Sequence, residues 1–361
     1  MTEHRQSDPR SAEELELRIL EACNATFDVF TIHLGRILGL YEALKEGALT
    51  SSELAERTST NERYVREWLE QQAVTGILTV DDVGAPAHER CFALPPGYAE
   101  TLLDRDSLRY VAPLASMAAV VGSQLNALAD AFRTGGGVSS YDFGDEMRES
   151  QGDTNRALYL QRLAHEWLAS DPRVDALLSK DGARVADIGT GFGWSAIAIA
   201  EHYTGAHVVG MDIDQPSIDA ASANAIEHGV ADRVTFTSSD LSEFDEDAFD
   251  MVIACECIHD MPDPVSVLSH AHTMVKEHGV VLILDERTLD AFTTDAGDAE
   301  RLNYGFSVTP CLPDAMTSSP SVATGAVMRR STLESYAHSA GFDGIDELPI
   351  DHDRFRMYRL T

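Results

Sequence analysis

The sequence predicts an α/β protein in which a doubly wound, mostly parallel sheet of seven strands follows a mainly α-helical winged-helix domain. Strand-like and helix-like segments alternate from residue 184 onward, and the strands are continuous apolar runs, as in parallel sheets that are covered on both faces. Before residue 100, three helical segments precede a short hairpin. The length of 361 residues also favours two domains, because single cores stop growing near about 250 to 300 residues.

Helix caps and turn residues predict the winged helix. Apolar residues recur at helical spacing from Phe27 to Leu44, and Gly76 ends the third helix. Strand-like residues at 77–80 and 91–94 flank a turn, which predicts the two-stranded wing. The second and third helices each begin with a capping box, in which a Ser or Thr is followed three residues later by Glu. The pairs are Thr50 with Glu53 and Ser59 with Glu62.

A stretch rich in glycine and serine marks the predicted domain junction. Residues 134–140 read Thr-Gly-Gly-Gly-Val-Ser-Ser, a composition typical of linkers. We therefore assign residues 1–135 to a winged-helix domain with a helical extension, 136–170 to a helical linker, and 171–361 to the sheet domain. The strands of that domain are predicted at 184–188, 207–212, 234–237, 249–255, 280–285, 345–350 and 355–360.

The charge of the chain excludes some partners. It contains 60 Asp and Glu against 27 Lys and Arg, which gives a formal net charge of -33. Such a surface repels nucleic acid and anionic membranes. Acidic, lysine-poor surfaces also keep proteins soluble in concentrated salt, where the Debye length falls to ~3 Å. We therefore interpret the charge as halophilic adaptation before we interpret it as function.

The N-terminus and the cysteines bear on localisation. The first residues are polar and charged, without the apolar core of a signal peptide, and no apolar run approaches the ~18 residues of a membrane span. The five cysteines are scattered, and the one close pair, Cys255 and Cys257, has no second pair at zinc-site spacing. We therefore expect a cytoplasmic protein with reduced core thiols and no metal site.

The clearest chemical signal is a strand that runs into a glycine-rich turn. Residues 185–193 read Val-Ala-Asp-Ile-Gly-Thr-Gly-Phe-Gly, and a helix is predicted from Trp194 to His202. A dinucleotide-binding fingerprint would place its third glycine at position 194, so a pyrophosphate site is disfavoured. Asp187, two residues before the first glycine, suits a ligand with an ammonium group, either by direct contact or by fixing the loop through backbone hydrogen bonds.

Two further acidic residues follow predicted strands, where an open α/β sheet binds its ligand. Asp212 ends the second strand, where a carboxylate can accept both hydroxyls of a ribose. Asp240 follows the third strand, where it can accept the exocyclic amine of adenine while Leu241 covers the ring. An adenosine with a cationic amino-acid tail fits all three acidic residues together, although each alone is also typical of a helix cap or a turn.

This ordered set resembles the class I S-adenosylmethionine (SAM)-dependent methyltransferases over about residues 170 to 361. The resemblance implies SAM as cofactor, S-adenosylhomocysteine (SAH) as product and one reversed strand at the end of the sheet. The winged helix is similar to that of small-molecule O-methyltransferases, in which it forms the dimer, so a homodimer and a small-molecule substrate are implied. Cys255, at the end of the fourth strand, would complete the pocket. The remaining cofactor-binding residues would be Asp187, Gly189, Gly191 and Gly193 for the methionine part, Asp212 for the ribose, and Asp240 and Leu241 for the adenine.

His259 is the predicted catalytic residue. It follows the fourth strand in Cys-Ile-His-Asp-Met-Pro-Asp-Pro at 257–264. In the small-molecule O-methyltransferases that this segment resembles, a His-Asp pair supplies the general base, usually followed by a tryptophan where this chain has Met261. An imidazole with a pKa near ~6.5 can accept a hydroxyl proton as the oxygen attacks the methyl group. The alternative is a histidine that only orients the loop or closes over the cofactor.

The winged helix also leaves a transcription regulator as an alternative. The candidate recognition helix, 61–72, carries Arg63 and Arg66 but also three glutamates, and acidic residues outnumber basic ones across 50–94. Phosphate contacts require the reverse, so nucleic acid is not an expected partner. A non-catalytic SAM-binding protein and an N- or C-methyltransferase stay open, and the sequence does not identify the methyl acceptor.

Overall fold

The computed structural model describes residues 11–239 and 241–361. Internal contacts divide the chain into two compact units, one ending at Ala119 and the other beginning at Val120. The assignment of functional domains at residues 135 and 170 stays a prediction. Among the residues described, no single helix is long and apolar enough to cross a membrane. The bent pair of helices Ala112–Ser123 and Leu125–Thr134 reaches the required length and apolar character only when the two helices are taken together.

The first unit is helical with a two-stranded hairpin, as predicted. Its core contains the buried side chains of Leu54 and Leu69, and the ring of Tyr41 meets Trp68 edge-on with centroids 5.0 Å apart. The elements are α1 (Ala12–Ile37), α2 (Leu40–Leu44), α3 (Ser51–Arg57), α4 (Glu62–Val74), β1 (Thr79–Val80), β2 (Phe92–Ala93), α5 (Pro96–Leu102) and α6 (Ala112–Ser123), the last of which continues past Ala119.

One predicted capping box is confirmed and the other is wrong. The Thr50 hydroxyl accepts a hydrogen bond from the Glu53 amide, and the Glu53 carboxylate accepts one from the Thr50 amide. Ser59 does not cap α4, because the side chain of Asn61 does so. Asn61 immediately precedes the first helical residue, so its side chain reaches the free amides of the first turn.

The second unit contains a seven-stranded sheet and the helices that connect its strands. The helices are α7 (Leu125–Thr134), α8 (Gly144–Leu158), α9 (Pro172–Leu178), α10 (Trp194–His202), α11 (Gln215–Glu227), α12 (Pro264–Met274), α13 (Asp298–Phe306), α14 (Leu312–Ala315) and α15 (Arg330–Ser339). Wider π-helical turns cover Tyr159–Leu168 and Ser307–Cys311, and 3₁₀ turns cover Ser140–Phe143, Leu241–Glu243 and Ile258–Asp260. The strands are β3 (Arg184–Ile188), β4 (His207–Met211), β5 (Val234–Thr237), β6 (Phe249–Cys255), β7 (Val275–Glu286), β8 (Ile345–Leu348) and β9 (Phe355–Leu360).

The strand order is β5-β4-β3-β6-β7-β9-β8. Strands β3 to β7 pair in parallel, and β9 runs antiparallel to both of its neighbours. This order confirms the doubly wound, mostly parallel sheet and the reversed strand at its end. Because the chain proceeds from β3 toward one edge and then returns to β6 on the other side, β3 and β6 form the switch point where such sheets open a ligand crevice.

Both faces of the sheet are buried. Consecutive residues of a strand point to opposite faces, and Val185 and Ala186 of β3 accordingly belong to different core clusters. Val185 shares its cluster with Leu163, and Ala186 shares the other with Leu268 of α12. Burial on both faces explains why the strands read as continuous apolar runs in the sequence.

Candidate active site

The glycine loop between β3 and α10 is shaped by positive φ angles. Gly189 and Gly191 have φ of 67° and 51°, in the left-handed region that favours glycine. A Cβ on Gly189 would lie 2.7 Å from the Sγ atom of Cys257, which is too close for any side chain. The loop therefore requires glycine at this position for two separate reasons.

Gly193 allows the glycine loop to pack closely against Phe236. It immediately precedes α10 with φ of 79°, and a Cβ there would lie 2.5 Å from the ring of Phe236. In the described part of the chain it is not among the residues that line the cavity at this end of the sheet. The geometry therefore supports a role in loop shape rather than the expected contact with the methionine part.

Asp187 holds the glycine loop in place by hydrogen bonds. Its side chain is fully buried, and Oδ2 accepts hydrogen bonds from the hydroxyls of Thr190 and Ser195, both at 2.6 Å. Burial raises the pKa of Asp187 to about 6. The side chain does not line the cavity. Asp187 was expected either to contact an ammonium group or to fix the loop. The geometry supports fixation of the loop, and the hydrogen-bond donors are the hydroxyls of Thr190 and Ser195.

Asp212 joins the loop to the end of β4. Its Oδ2 accepts the Gly191 amide at 2.9 Å, and its Oδ1 accepts the Asp214 amide at 3.0 Å. Burial raises the pKa of Asp212 above its ordinary value. Asp212 lines the cavity, and each carboxylate oxygen has a second lone pair. It can therefore accept further hydrogen bonds from hydroxyl groups of a ligand.

A cavity of about 690 Å³ lies at the carboxyl ends of β3, β4 and β6, where doubly wound sheets bind their ligands. Five of the predicted cofactor-binding residues line its wall: Gly189, Gly191, Asp212, Leu241 and Cys255. A further predicted residue, Asp240, lies outside the described residues.

His259 lies in a buried acidic cluster beside the cavity. Its side chain is 2% exposed, with Nδ1 2.9 Å from Asp285 Oδ1 and 3.2 Å from Glu286 Oε2. Its Nε2 lies 3.3 Å from Asp260 Oδ1. Asp260 lines the cavity and His259 does not, so Asp260 connects the imidazole to the cavity wall.

The surroundings of His259 change the expected pKa. Burial lowers the pKa of the imidazole, but the carboxylates of Asp260, Glu286 and Asp285 outweigh that effect and hold it well above 6.5. The sequence-based expectation of an ordinary value is therefore wrong. Burial also raises the pKa of Glu286 well above its usual value. These carboxylates therefore favour the protonated imidazole, and rising pH favours the base form.

Sequence reasoning missed three acidic residues at this end of the sheet. Asp285 and Glu286 end β7, and the rule that selected Asp212 from the end of β4 applies to them equally. Glu256 follows β6 and lines the cavity, and Tyr159 donates a hydrogen bond to its carboxylate. Nothing near Glu256 in the sequence distinguishes it from an exposed acidic residue, because Tyr159 lies 97 positions earlier in the chain.

The cluster around His259 also has the spacing of a possible metal site. The potential ligand atoms of His259, Asp260 and Cys311 lie within 4.8 Å of one another, as do those of His259, Asp285 and Glu286. Burial raises the pKa of the Cys311 thiol above its usual value. The expectation of no metal site stays a prediction, which a chelator can test.

Two protein families match separate parts of the chain. The family described as "Methyltransferase domain" matches residues 179–323, and the family described as "Rv2258c-like winged HTH domain" matches residues 28–104. Both domain types expected from the sequence are therefore confirmed. The methyltransferase match includes the glycine loop, Asp212 and His259.

Curated relatives match the chain over part of their length. A sterol 24-C-methyltransferase of Gibberella zeae is 27% identical over 173 residues, which cover 47% of this chain and 44% of that protein. A ubiquinone biosynthesis O-methyltransferase of Pseudomonas aeruginosa is 33% identical over 111 residues, 30% of this chain and 47% of that protein. The chain thus spans about half the length of these relatives. Their names agree on methyl transfer and differ in the acceptor atom.

Solved structures resemble the chain over nearly its whole length. The mitomycin 7-O-methyltransferase MmcR has a TM-score of 0.71 at 22% identity and covers 96% of this chain and 97% of its own. Human N-acetylserotonin methyltransferase, solved in complex with SAM, has a TM-score of 0.69 at 16% identity and covers 99% of both chains. At these identities the likeness concerns the fold, and it confirms the predicted class I methyltransferase architecture.

Proposed function

Since the chain carries a methyltransferase domain and a winged helix-turn-helix domain, we propose that it is a SAM-dependent methyltransferase acting on a hydroxyl group of a small molecule. One observation carries the proposal. The cavity at the switch point of the sheet is flanked by the glycine loop and Asp212 at the β3 and β4 ends, and by Asp260 of the His259 cluster beyond β6.

The residues of the cavity fit the cofactor. No atom lies within 4 Å of the position that a Cβ on Gly191 would take, so the loop leaves open space there. Asp212 retains lone pairs for the ribose hydroxyls, and Leu241 offers apolar surface for the adenine. Cys255 extends the wall at the end of β6. When bound, SAM supplies a methyl group that its sulfonium already activates, so the protein mainly has to orient the acceptor and remove its proton.

His259 is the residue that we expect to remove the acceptor proton. In the base form, Nδ1–H donates to Asp285 at 2.9 Å, and this hydrogen bond leaves the lone pair on Nε2. An acceptor hydroxyl must replace Asp260 as the neighbour of Nε2 and then transfers its proton there. The nearby carboxylates stabilise the imidazolium that forms. General base catalysis of this kind contributes typically ~10² to 10⁴ in rate.

Isotope-labelled SAM tests the proposed reaction. We would incubate the full-length protein in concentrated salt, with and without EDTA, with panels of phenols, alcohols and amines, and follow SAH and labelled product by mass spectrometry. Transfer to a hydroxyl that survives EDTA is the expected result. Transfer only to amines or carbon acceptors would contradict O-methylation, and SAM binding without turnover would favour a non-catalytic protein.

The first domain is proposed to form a homodimer through α1. Leu20, Phe27 and Leu34 recur every seven residues along this helix, so they lie on one stripe. Their side chains are 54%, 64% and 43% exposed. In a symmetric dimer, the same stripe of a second copy would cover this apolar surface.

The charges on α4 oppose a role in DNA binding. Arg63 forms an ion pair with Glu67 at 2.5 Å, and Arg66 forms one with Glu62 at 3.3 Å. Each arginine of the candidate recognition helix is therefore already neutralised by an acidic residue one turn away, which leaves little net positive charge for phosphate groups. We propose that the excess of acidic residues in the whole chain instead reflects life in a salt-rich cytoplasm.

A further inference from the structure

Glu256 is a partly buried acidic residue of the cavity wall that the proposed mechanism does not use. Its backbone has φ of 52°, in the left-handed region that is unfavourable for residues with a side chain. Its amide nonetheless donates to the Leu284 carbonyl at 2.8 Å, which continues the pairing of β6 with β7. Strained residues of this kind cluster at functional sites, where the surrounding structure maintains them.

The sheet places Glu256 beside the glycine loop. Ile188 pairs with Ala254 in the β3–β6 register, so the residues after each strand are neighbours. The thiol of Cys257 donates to the Ile188 carbonyl at 3.2 Å, which holds the two segments together. On the opposite side of the loop, Asp212 accepts the Gly191 amide. Two acidic residues therefore flank the glycine loop, one after β4 and one after β6.

This arrangement matches the two ends of an aminoacyl nucleoside. A ligand whose ribose lies at Asp212 and which crosses the glycine loop places its amino-acid tail near the end of β6. The ammonium group of that tail requires an anionic partner once it leaves water. Asp187, the residue expected from the sequence, does not line the cavity, and its Oδ2 already accepts two hydroxyls.

The carboxyl group of Glu256 is oriented by one hydrogen bond. The Tyr159 hydroxyl donates to Oε1, and among the described residues no other hydrogen bond and no ion pair involves the Glu256 side chain. Burial raises the pKa of Glu256 to about 7, although Arg354 acts from farther away to lower it. A cation that binds beside a partly buried carboxyl group with a raised pKa stabilises the charged form of that group.

We propose that Glu256, held in place by Tyr159, binds the α-ammonium group of the amino-acid tail of SAM and SAH. The inference rests on the proposed function, because it assumes that the cavity binds an adenosyl ligand.

A comparison of two adenosyl ligands isolates this contact. SAH carries the amino-acid tail, and 5′-methylthioadenosine lacks it. Calorimetry on the full-length protein is expected to show that Glu256→Gln loses about 10- to 100-fold in affinity for SAH, as for a hydrogen bond between charged groups. Affinity for 5′-methylthioadenosine should remain unchanged. Tyr159→Phe should also lose affinity for SAH and not for 5′-methylthioadenosine, with a smaller loss than in Glu256→Gln. If Glu256→Gln fails to fold, the Tyr159→Phe variant provides the test.

Asp175→Asn is the matched control. Asp175 of α9 also accepts a hydrogen bond from a tyrosine, the Tyr203 hydroxyl at 3.1 Å, and it is not among the described residues that line the cavity. This variant should bind both ligands as the wild type does. Equal losses for both ligands in Glu256→Gln, equal SAH losses in Asp175→Asn, or no loss at all would overturn the inference and leave the proposed function standing. A wild-type protein that binds neither ligand would overturn both.

Discussion

The central residue of the proposed mechanism is a histidine that three acidic residues surround. Asp285, Glu286 and Asp260 all lie within 3.3 Å of the His259 ring nitrogens. These contacts orient the imidazole and stabilise its charged form. They also oppose its function as a base, because they favour the protonated imidazole. The same cluster therefore sets both the geometry of catalysis and its pH range.

Replacement of His259 should separate catalysis from cofactor binding. We expect His259→Ala to lower the methylation rate by at least ~10²-fold with SAH affinity nearly unchanged, since proton removal and cofactor binding are separate contributions. Rate and affinity are measured by product formation and calorimetry. His272→Ala is the control, because His272 lies on α12 and is not among the described residues that line the cavity. A collapse of SAH affinity in His259→Ala would place His259 among the cofactor-binding residues.

The methylation rate should rise with pH above neutrality. The active form of His259 is neutral, and its pKa is raised well above 6.5, so the fraction of active enzyme increases as pH increases toward that pKa. The measurement is the rate at saturating SAM and acceptor over a series of buffers at constant ionic strength. A methylation rate that is independent of pH, or one with its midpoint at the ordinary histidine pKa, would show that the carboxylates do not raise the pKa of His259.

At the scale of residues, the sequence predicted residues of the cavity wall whose positions follow from local chain geometry. Gly189 and Asp212 are examples, because a glycine turn after a strand and a carboxylate at a strand end both lie at the ligand-binding edge of an open α/β sheet. Glu256 could not be found in this way. Its partial burial and its contact with Tyr159 depend on distant parts of the chain.

At the scale of elements, the strands were the most predictable part of the fold. Strands β3, β5, β6 and β9 begin and end at the predicted residues, because continuous apolar runs between turn residues leave little choice of boundary. Residues 157–178 have apolar side chains at helical spacing, which predicts one continuous helix, and this prediction is wrong. The helix is interrupted after the π-helical segment Tyr159–Leu168, and Asp171 with Pro172 begins α9. That cap and proline are a sequence signal for a new helix.

The exposed stripe on α1 provides a test of the proposed dimer. The double variant Leu20→Glu/Phe27→Glu places two charges on the stripe, and we expect it to convert a wild-type dimer into a folded monomer in light scattering. Val83→Glu is the control, because Val83 is equally apolar and 74% exposed but lies in the wing turn. A variant that remains dimeric would move the interface away from α1, and a monomeric wild type would exclude the dimer.

At the scale of the whole molecule, the charge of -33 is the dominant property. Repulsion between carboxylates destabilises the compact state at low ionic strength, and salt screens it. We expect the melting temperature to rise as KCl increases from about 0.1 M to about 2 M, where the Debye length is ~3 Å or less. Circular dichroism melts provide the measurement. A melting temperature that is independent of KCl would contradict the interpretation of the charge as salt adaptation.

The identity of the ligand that the glycine loop and Asp212 bind is the central claim, and calorimetry on the full-length protein tests it most directly. We expect SAH to bind at least about tenfold more tightly than NAD. Asp212→Ala should weaken SAH binding by ~1 to 3 kcal/mol, because a charged hydrogen bond to the ribose is lost. Asp219→Ala, which removes an exposed carboxylate from α11, should have no effect. Tight NAD binding without any response to SAH would contradict the assignment.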